Sequence, residues 1–479
     1  MSSNMPLSLQ ELTTQNLLKN ELLADNALQI LPKMFLPQLF KQAFEGNHVK
    51  AVRTIASSWP FPRLPLGVLK RRTTYMETLA VLEEIDKLLV QKVRPRDYQL
   101  QVLDLRSVGQ TYMDVWSGSM DDWLPKTTSE TQAVPGPSTT EATQPLKVAV
   151  NLYLREACPG RMFSYLIQWH NRRRGLLQLY CNELQIWSPC LQNYRKLSQK
   201  VNLEYVETLA LHESYNPAFL FNLAPYMGRM KNLRKLTLSN ILADSYISPE
   251  KKRSIISRFT SHLLRLEHLQ KLHLDAVGFL EGHLLWLLGS VKTTLDDLAV
   301  THCKLSVSEW NRLSEFPCVS RLQHLSLGKV RLTNLSPEPL RVLLVNAGPT
   351  LVTLDLEDCH IGDGHLSAIL PALSSCSQLT DFSFYGNQIS MVFLKDLLQH
   401  TASLRCLKLE LYPVPQESYD SRGIPRMKSM RQQCDELLDM LKAIREPVRV
   451  FFGTDRCNRC GSRYIYNKTK MCDCRRRSY

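Results

Sequence analysis

The chain has 479 residues, of which 44% are hydrophobic and 22% are charged, a composition typical of folded globular proteins. This length exceeds that of a usual single core, so it predicts several domains or a repeat array. No run of about 18 apolar residues predicts a transmembrane helix, and no basic segment followed by an apolar block predicts a secretory signal. The 13 cysteines are therefore expected to be reduced, intracellular thiols.

The formal net charge of +14 is compatible with a nucleic-acid partner or an acidic protein partner. Basic residues cluster at residues 70–72, 172–174 and 475–477, and the last cluster is compatible with a nuclear address. No aromatic residues interleave these clusters, as a platform for base stacking requires. A solvated basic surface is therefore favoured over a nucleic-acid site.

The first predicted element is an amphipathic helix in SLQELTTQNL, residues 8–17. Helical spacing places Leu9, Leu12, Asn16 and Leu17 near one stripe. Chain termini are usually polar, so an apolar stripe in this position indicates a surface that packs against something else.

A capping unit and a disordered loop are predicted between the N-terminal helix and the main repeats. The segment LQVLDLR, residues 100–106, matches a leucine-rich pattern and is expected to be a capping unit. Residues 127–145 are rich in Thr, Ser, Pro and Glu and contain one Val as their large aliphatic residue. Such a stretch cannot bury enough apolar surface to offset its ordering entropy, so it predicts a disordered loop.

A unit of the form Leu-x-x-Leu-x-Leu recurs through the rest of the chain and predicts leucine-rich repeats. An early match is LLQLYCNELQI at residues 176–186. The later units begin at Val206, Leu233, Leu269, Leu295, Leu322, Leu351, Leu379 and Leu404. Their spacings of 27, 36, 26, 27, 29, 28 and 25 residues fit the period of this repeat class, apart from the 36. The long spacing contains residues 245–259, an insertion expected on the helical side.

Cys303, Cys359 and Asn387 stand where their repeats turn, and such side chains can hydrogen-bond the turning backbone. His302 and His360 adjoin two of them, which is compatible with a Cys–His dyad. Neighbours at this turn alternate sides, so buried cysteines and solvent-facing histidines are favoured. No nucleotide-binding, serine-hydrolase or zinc-protease motif is present, and an enzyme is disfavoured.

Three segments match Leu-x-x-Leu-Leu, a helical motif that can dock into grooves on nuclear receptors, at residues 284–288, 340–344 and 394–398. Each lies in the helical half of a repeat, where these leucines are favoured as core residues.

The C-terminal sequence CNRCGSRYIYNKTKMCDC contains Cys457, Cys460, Cys472 and Cys474. A Cys-x-x-Cys-Gly turn lets two thiolates chelate one metal, and four cysteines can close a tetrahedral structural zinc site. Reduced thiols and a disulfide remain open as alternatives.

Several stretches together resemble the PRAME family of leucine-rich-repeat proteins, expressed mostly in germline, early embryo and tumour cells. The resemblance covers nearly the whole chain, including the terminal cysteines, and is carried by residues 45–69, 98–106, 115–118, 163–167, 246–251, 376–390 and 411–419.

This resemblance implies a substrate receptor of a cullin-2 ubiquitin ligase, which holds elongin B/C through an N-terminal helix. The helix follows the pattern [Ser/Thr/Ala/Pro]-Leu-x-x-x-Cys-x-x-x-aliphatic. Ser8, Leu9, Thr13 and Leu17 occupy its four marked positions, and Thr13 departs from the pattern because it replaces the cysteine.

The resemblance also places the cullin-contacting segment at LPKMFLPQLF, residues 31–40. Within it, Leu31, Pro32, Leu36 and Pro37 are the expected cullin-binding residues.

The predicted fold is an α/β leucine-rich-repeat solenoid, or horseshoe, with an N-terminal helical adaptor region. We expect a helical region over residues 1–97, a capping repeat over 98–126, the disordered loop over 127–145, repeats over 146–445 and a cap over 446–479. The first functional hypothesis is a non-catalytic ligase adaptor of the cytoplasm and nucleus that binds elongin B/C, cullin-2 and a protein target. The alternative, implied by the same resemblance, is a corepressor-like scaffold in retinoic acid receptor signalling.

Overall fold

The structure, a computed structural model, describes residues 9–19, 30–69, 75–91, 95, 97–106, 144–155, 161–187, 200–214, 217–242, 247–457 and 459–469. The basic clusters at residues 70–72 and 475–477, and all but the last two residues of the loop predicted at 127–145, lie outside these ranges. The chain divides into two compact units. The first comprises the described residues up to Leu184 and those of Gln192–Val206, and the second comprises those of Gln185–Leu191 and Glu207–Tyr479.

The first unit combines helices with short strands. Its helices are α1 (Leu9–Lys19), α2 (Leu36–Glu45), α3 (Val49–Ser57), α4 (Tyr75–Val90) and α5 (Arg161–Arg172). Its strands are β1 (Arg63–Pro65), β2 (Val102–Asp104), β3 (Leu146–Leu154), β4 (Leu177–Trp187, which ends in the second unit) and β5 (Val201–Asn202). The strand order is β1-β2-β3-β4, and β5 pairs with β4.

A buried acid organises the edge of this sheet. Asp104 is 1% exposed, its Oδ2 accepts from Arg63 Nη2 at 2.6 Å, and its two oxygens accept from the Arg106 guanidinium at 2.9 Å. Burial alone would raise the pKa of Asp104, but hydrogen bonds and charge from Arg106 and Arg63 lower it below its usual value. The acid therefore stays ionised and holds β1 against β2.

The second unit is built from parallel strands joined through helices. Its strands are β6 (Thr208–Ser214), β7 (Lys235–Ile241), β8 (Lys271–Asp275), β9 (Asp297–Thr301), β10 (His324–Ser326), β11 (Thr353–Asp355), β12 (Asp381–Ser383), β13 (Leu409–Pro413) and β14 (Val450–Gly453). Its helices are α6 (Ala218–Met227), α7 (Pro249–Leu263), α8 (Leu284–Gly289), α9 (Val307–Arg312), α10 (Glu338–Ala347), α11 (Asp363–Leu373), α12 (Met391–Thr401) and α13 (Met427–Ile444).

From β6 to β14, consecutive strands of the second unit pair with one another. Residues alternate between buried and partly exposed along the strands, as period-two side chains require. Leu272, Leu298, Leu325, Leu354 and Phe382 occupy equivalent buried positions in successive strands. The second unit is thus an α/β leucine-rich-repeat solenoid, as predicted, and the insertion forms α7, which packs against α6.

Two of the three residues at the repeat turns, Cys359 and Asn387, are buried as predicted, whereas Cys303 is only partly buried. Asn387 is buried, donates from Nδ2 to the carbonyls of Leu356 and Phe384, and accepts from the Ile361 N–H. Cys359 is fully buried and its thiol donates to the Leu327 carbonyl at 3.1 Å. These side chains satisfy backbone groups inside the stack, where water cannot.

The last repeat has a different register from the one predicted. The sequence suggests a unit starting at Leu404, with Leu407 and Leu409 continuing it. In the structure Phe382 pairs with Glu410, so the unit starts at Leu407 and its central core position is an acid. The repeat pattern is defined by aliphatic side chains, so a carboxylate at that position leaves the register without a signal in the sequence.

Glu410 is fully buried and tied to the C-terminal helix. Its Oε2 accepts from the Tyr412 hydroxyl at 2.7 Å and forms a hydrogen-bonded ion pair with Arg445, which directly follows α13. The ion pair therefore holds the end of α13 against the last repeats.

Leu354→Ala should lower the free energy of unfolding by about 2–5 kcal/mol, because it leaves a cavity in the repeat core. Thr353→Ala should cost about 1 kcal/mol, because it removes one hydrogen bond with His324 Nδ1, 2.8 Å long, at a partly exposed position. Urea denaturation measures both values, and equal losses would contradict the observed strand register.

Arg445→Ala should destabilise the chain by about 3–5 kcal/mol, because it leaves the Glu410 carboxylate buried and uncompensated. The double variant Glu410→Leu with Arg445→Leu restores an aliphatic core position and should be more stable than Arg445→Ala alone. Urea denaturation of both variants tests this order, and the reverse order would mean that the ion pair is not the main contact at this site.

Candidate functional site

Among the described side chains of the N-terminal helix, the buried one lies on the side that packs against the first unit. Helix α1 lies against α2, and Leu18 of α1 is 4% exposed. Thr13 and Asn16 are exposed, and Leu12 is 45% exposed. The helix was predicted, but most of its described apolar stripe faces away from the chain that carries it.

Helical geometry explains this arrangement. Positions 9, 12, 13 and 16 follow the i, i+3, i+4, i+7 spacing of a single face, and position 18 lies opposite. Leu17 lies at the border of that face and is half-buried. Leu9 begins the helix, and Ser8 lies outside the described residues. We call positions 9, 12, 13, 16 and 17 the outward face of α1.

The segment expected to contact cullin has a mixed exposure. Leu36 and Pro37 are buried at the start of α2, Leu31 is half-buried and Pro32 is exposed. The burial of Leu36 and Pro37 gives them a role in fixing the start of α2.

Three apolar residues that sequence reasoning did not select lie on the surface of the same segment. Ile30 is 84%, Met34 70% and Phe35 37% exposed. Lys33, between them, forms an ion pair of 2.7 Å with Asp97. The signal in the sequence was a Met-Phe pair between two prolines. The segment is too short for its periodicity to show which side chains are buried and which are exposed.

The first half of the cysteine motif lies in a C-terminal hairpin. The Thr454 N–H donates to the Tyr464 carbonyl at 2.9 Å, and the Cys457 N–H donates to the Ser462 carbonyl at 2.8 Å. Gly461 has a φ of +68° and donates to the Cys457 carbonyl. Only glycine adopts this conformation easily, so the turn suits a Cys-x-x-Cys-Gly sequence.

Cys457 is buried and Cys460 is exposed in this hairpin, whereas Cys472 and Cys474 lie outside the described residues. Within the part of the chain that the structure describes, no group of three His, Cys, Asp or Glu side chains could hold a metal ion. The described residues therefore provide half of the predicted ligand set.

Two arginines of the hairpin reach back to an earlier repeat. Arg456 and Arg463 both form ion pairs with Glu357 and Asp358, at the turn that follows β11. The Arg463 guanidinium also lies 4.9 Å from the centre of the Tyr385 ring. About a hundred residues separate these partners, so no local pattern in the sequence could indicate the contact.

The turn cysteines do not form nucleophilic dyads. Burial raises the pKa of the Cys359 thiol to about 12, which keeps it protonated and unreactive. His302 is exposed and pairs with Asp275 at 2.8 Å, whereas the thiol of its neighbour Cys303 points to the Leu274 carbonyl.

The Leu-x-x-Leu-Leu segments are part of the core. Their leucines are at most 3% exposed at positions 284, 287, 288, 340, 343, 344, 394, 397 and 398. Docking of any of these motifs would require its repeat to unfold.

Among the described helices, none is long and apolar enough to span a membrane.

Comparison with known proteins gives matches over most of the chain. Residues 6–113 match the family model of the PRAME N-terminal domain, and residues 146–475 match that of the PRAME C-terminal domain. Among solved structures, a chain in the crystal structure of the Rad7 and Elc1 complex in yeast is 15% identical, with a TM-score of 0.26, over 52% of this chain and 75% of that chain. A TM-score this low does not establish a shared fold.

Three curated relatives are similar over nearly their whole lengths. Human PRAME family member 20 is 42% identical over 99% of this chain and 100% of its own, and human PRAME family member 7 is 42% identical over 98% of each chain. Mouse preferentially expressed antigen in melanoma-like protein 1 is 44% identical over 88% of this chain and 92% of its own. The chain therefore belongs to the PRAME family.

Proposed function

We propose that the chain is the substrate-recognition subunit of a cullin-2 RING ubiquitin ligase and acts without catalysis of its own. The observation that carries this proposal is the outward face of α1, which holds three of the four positions of the elongin-binding pattern and is exposed at Leu12, Thr13 and Asn16. A helix held by Leu18 on its opposite side presents this face already folded.

Elongin B/C binds the outward face in this proposal. A partner that covers Leu9, Leu12 and Leu17 buries apolar surface, and this burial drives association. Thr13 stands where the pattern has cysteine, and its small side chain fits a pocket of similar volume. The preformed helix lowers the entropic cost of binding, because its backbone is ordered before the partner arrives.

Cullin-2 contacts the segment that follows. The exposed side chains of Ile30, Met34 and Phe35 offer an apolar contact there, and Leu31 and Pro32 border it. Leu36 and Pro37 hold the start of α2 beneath it. Exposed aromatic and Met residues of this kind are enriched in protein interfaces.

The solenoid holds the ubiquitination target. Target specificity rests on partly exposed strand residues such as Thr237, Lys271, His273, Thr353 and Asp355. We expect the complex in the cytoplasm and nucleus.

The terminal cysteines hold a structural zinc ion in this proposal. Cys457, Cys460, Cys472 and Cys474 would be its four ligands, and a filled tetrahedral site stabilises the cap without catalysis. The hairpin turn supports this assignment, because it presents two of the cysteines on either side of a tight bend closed by Gly461.

Leu9→Asp with Leu17→Asp should abolish recovery of elongin B/C in a pull-down with the full chain. Each change places a carboxylate into an apolar interface, which costs several kcal/mol for an unpaired buried charge. Thr13→Cys, which restores the family pattern, should bind at least as tightly as the natural chain.

The control is Gln15→Glu, which adds an acid to α1 at a position off the outward face. It should leave elongin recovery unchanged. Full recovery with the Leu9 and Leu17 variant would contradict the ligase proposal and leave the scaffold hypothesis.

Purified full-length chain should carry about one equivalent of zinc, as a four-cysteine site implies. Chelation should increase hydrogen exchange in residues 453–466 and at the turn of Glu357 and Asp358, which they contact. It should leave elongin binding by α1 unchanged, because α1 belongs to the other compact unit. Metal-free protein with four titratable thiols would show that these cysteines are not a zinc site.

A further inference from the structure

Positive charge is concentrated in one short part of the solenoid. Between Arg229 and Lys271 the sequence holds ten Lys and Arg against three Asp and Glu, a net +7 and half of the formal charge of the whole chain. This part contains the one long repeat spacing of 36 residues and its inserted helix α7. The repeat that departs from the common length is thus also the most basic one.

The fold brings the ends of two helices together at this place. A Cβ on Gly228, which follows α6, would lie 2.6 Å from His262 Nδ1 and 3.5 Å from Arg265 Cδ, so the ends of α6 and α7 are adjacent. The Arg234 carbonyl accepts from the N–H groups of Gln270 and Lys271, which joins the two following turns.

Five cations lie around this place: Arg229 and Arg234 precede β7, Lys235 is its first residue, Arg258 lies within α7, and Arg265 lies between α7 and β8. We call them the basic edge: Arg229, Arg234, Lys235, Arg258 and Arg265. All except Lys235, which is partly exposed, are exposed. The Arg258 guanidinium is already positioned, because it lies 4.1 Å from the centre of the Phe221 ring.

Within the described residues, none of the five members of the basic edge forms an ion pair with an acid of the chain. Two acids are near: Glu267 follows Arg265 in the sequence, and the Glu207 carbonyl accepts from the N–H groups of Arg234 and Lys235. By contrast, acids on the strand face are matched: Asp275 pairs with His302, and Asp297 lies 2.9 Å from His273. Unmatched charge of one sign at a surface attracts a partner of the opposite sign.

We propose that the basic edge is a docking surface for an acidic protein segment. That the basic edge binds the ubiquitination target rests on the proposed function. In that function, the acidic segment belongs to the protein to be ubiquitinated. A protein partner is favoured over single-stranded nucleic acid because two of the described rings near the edge are not free to stack on bases: Phe259 is buried and Phe221 lies beneath Arg258.

The test is fluorescence anisotropy of a labelled octaglutamate peptide titrated with the full chain. The natural chain should bind, and its affinity should fall as salt rises from about 50 to about 200 mM, because exposed charges are screened. Arg234→Glu with Arg265→Glu should weaken binding by at least about tenfold, since like charges then face the peptide.

The matched control is Lys304→Glu with Arg331→Glu, which changes the net charge equally at exposed positions that follow β9 and β10. It should weaken binding by less than about threefold, because its effect is that of net charge alone. Equal losses in both variants, or no binding by the natural chain, would overturn the proposal. If the Glu variant does not fold by circular dichroism, Arg234→Gln with Arg265→Gln replaces it, and unchanged affinity there would be equally decisive.

Two further measurements separate the alternatives. A labelled oligothymidylate that binds more tightly than the peptide, and loses affinity in the same variant, would make the edge a nucleic-acid site and this proposal wrong. Elongin recovery should be unchanged in the Arg234 and Arg265 variant. Loss of the ligase role and loss of the docking surface therefore give different results.

Discussion

The solenoid depends on the lateral contact between equivalent side chains of successive strands. Leu298, Leu325 and Leu354 lie in register and are each at most 1% exposed. The core of each unit is therefore completed by side chains of the adjacent units. A single unit of this kind cannot bury its own apolar face. The backbone turns must therefore repeat as well, and the buried side chains of Cys359 and Asn387 hydrogen-bond them from within.

The C-terminal side of the solenoid meets the same constraint with a different kind of contact. A solenoid exposes an apolar face wherever its repeats stop, unless another element covers it. At the C-terminal side the chain adds α13 and strand β14, and the buried pair of Glu410 with Arg445 fixes the junction. Charge thus replaces an aliphatic contact at the point where the repeat pattern ends.

The sequence indicated the repeats well because they are strongly periodic, and each buried leucine reports on its neighbours. It failed at Glu410 because a partnered acid can occupy a core position, and no local pattern reveals a partner 35 residues away. The helix at the N-terminus was predicted, but its buried side was not. Leu17 and Leu18 are chemically identical, and only tertiary packing decides that Leu18 faces the protein.

The turns show a related limit. The turn residues at positions 276, 302, 329 and 358 (Ala, His, Lys and Asp) have φ values of 52° to 62°, and the equivalent Gly386 has a φ of 70°. Such different residues share one backbone conformation because the stack imposes it. Candidate binding residues, in contrast, require knowledge of exposure, and the exposed Met34 and Phe35 carry no periodic signal.

The contact of Arg456 and Arg463 with Glu357 and Asp358 changes how the C-terminal end of the array can open. A linear stack of repeats frays one unit at a time from its end. Here the outermost segment is bound to a repeat three units inward, so the intervening strands cannot separate until that bond breaks. Because of this contact, we expect the strands from β11 to β14 to unfold together in one cooperative step.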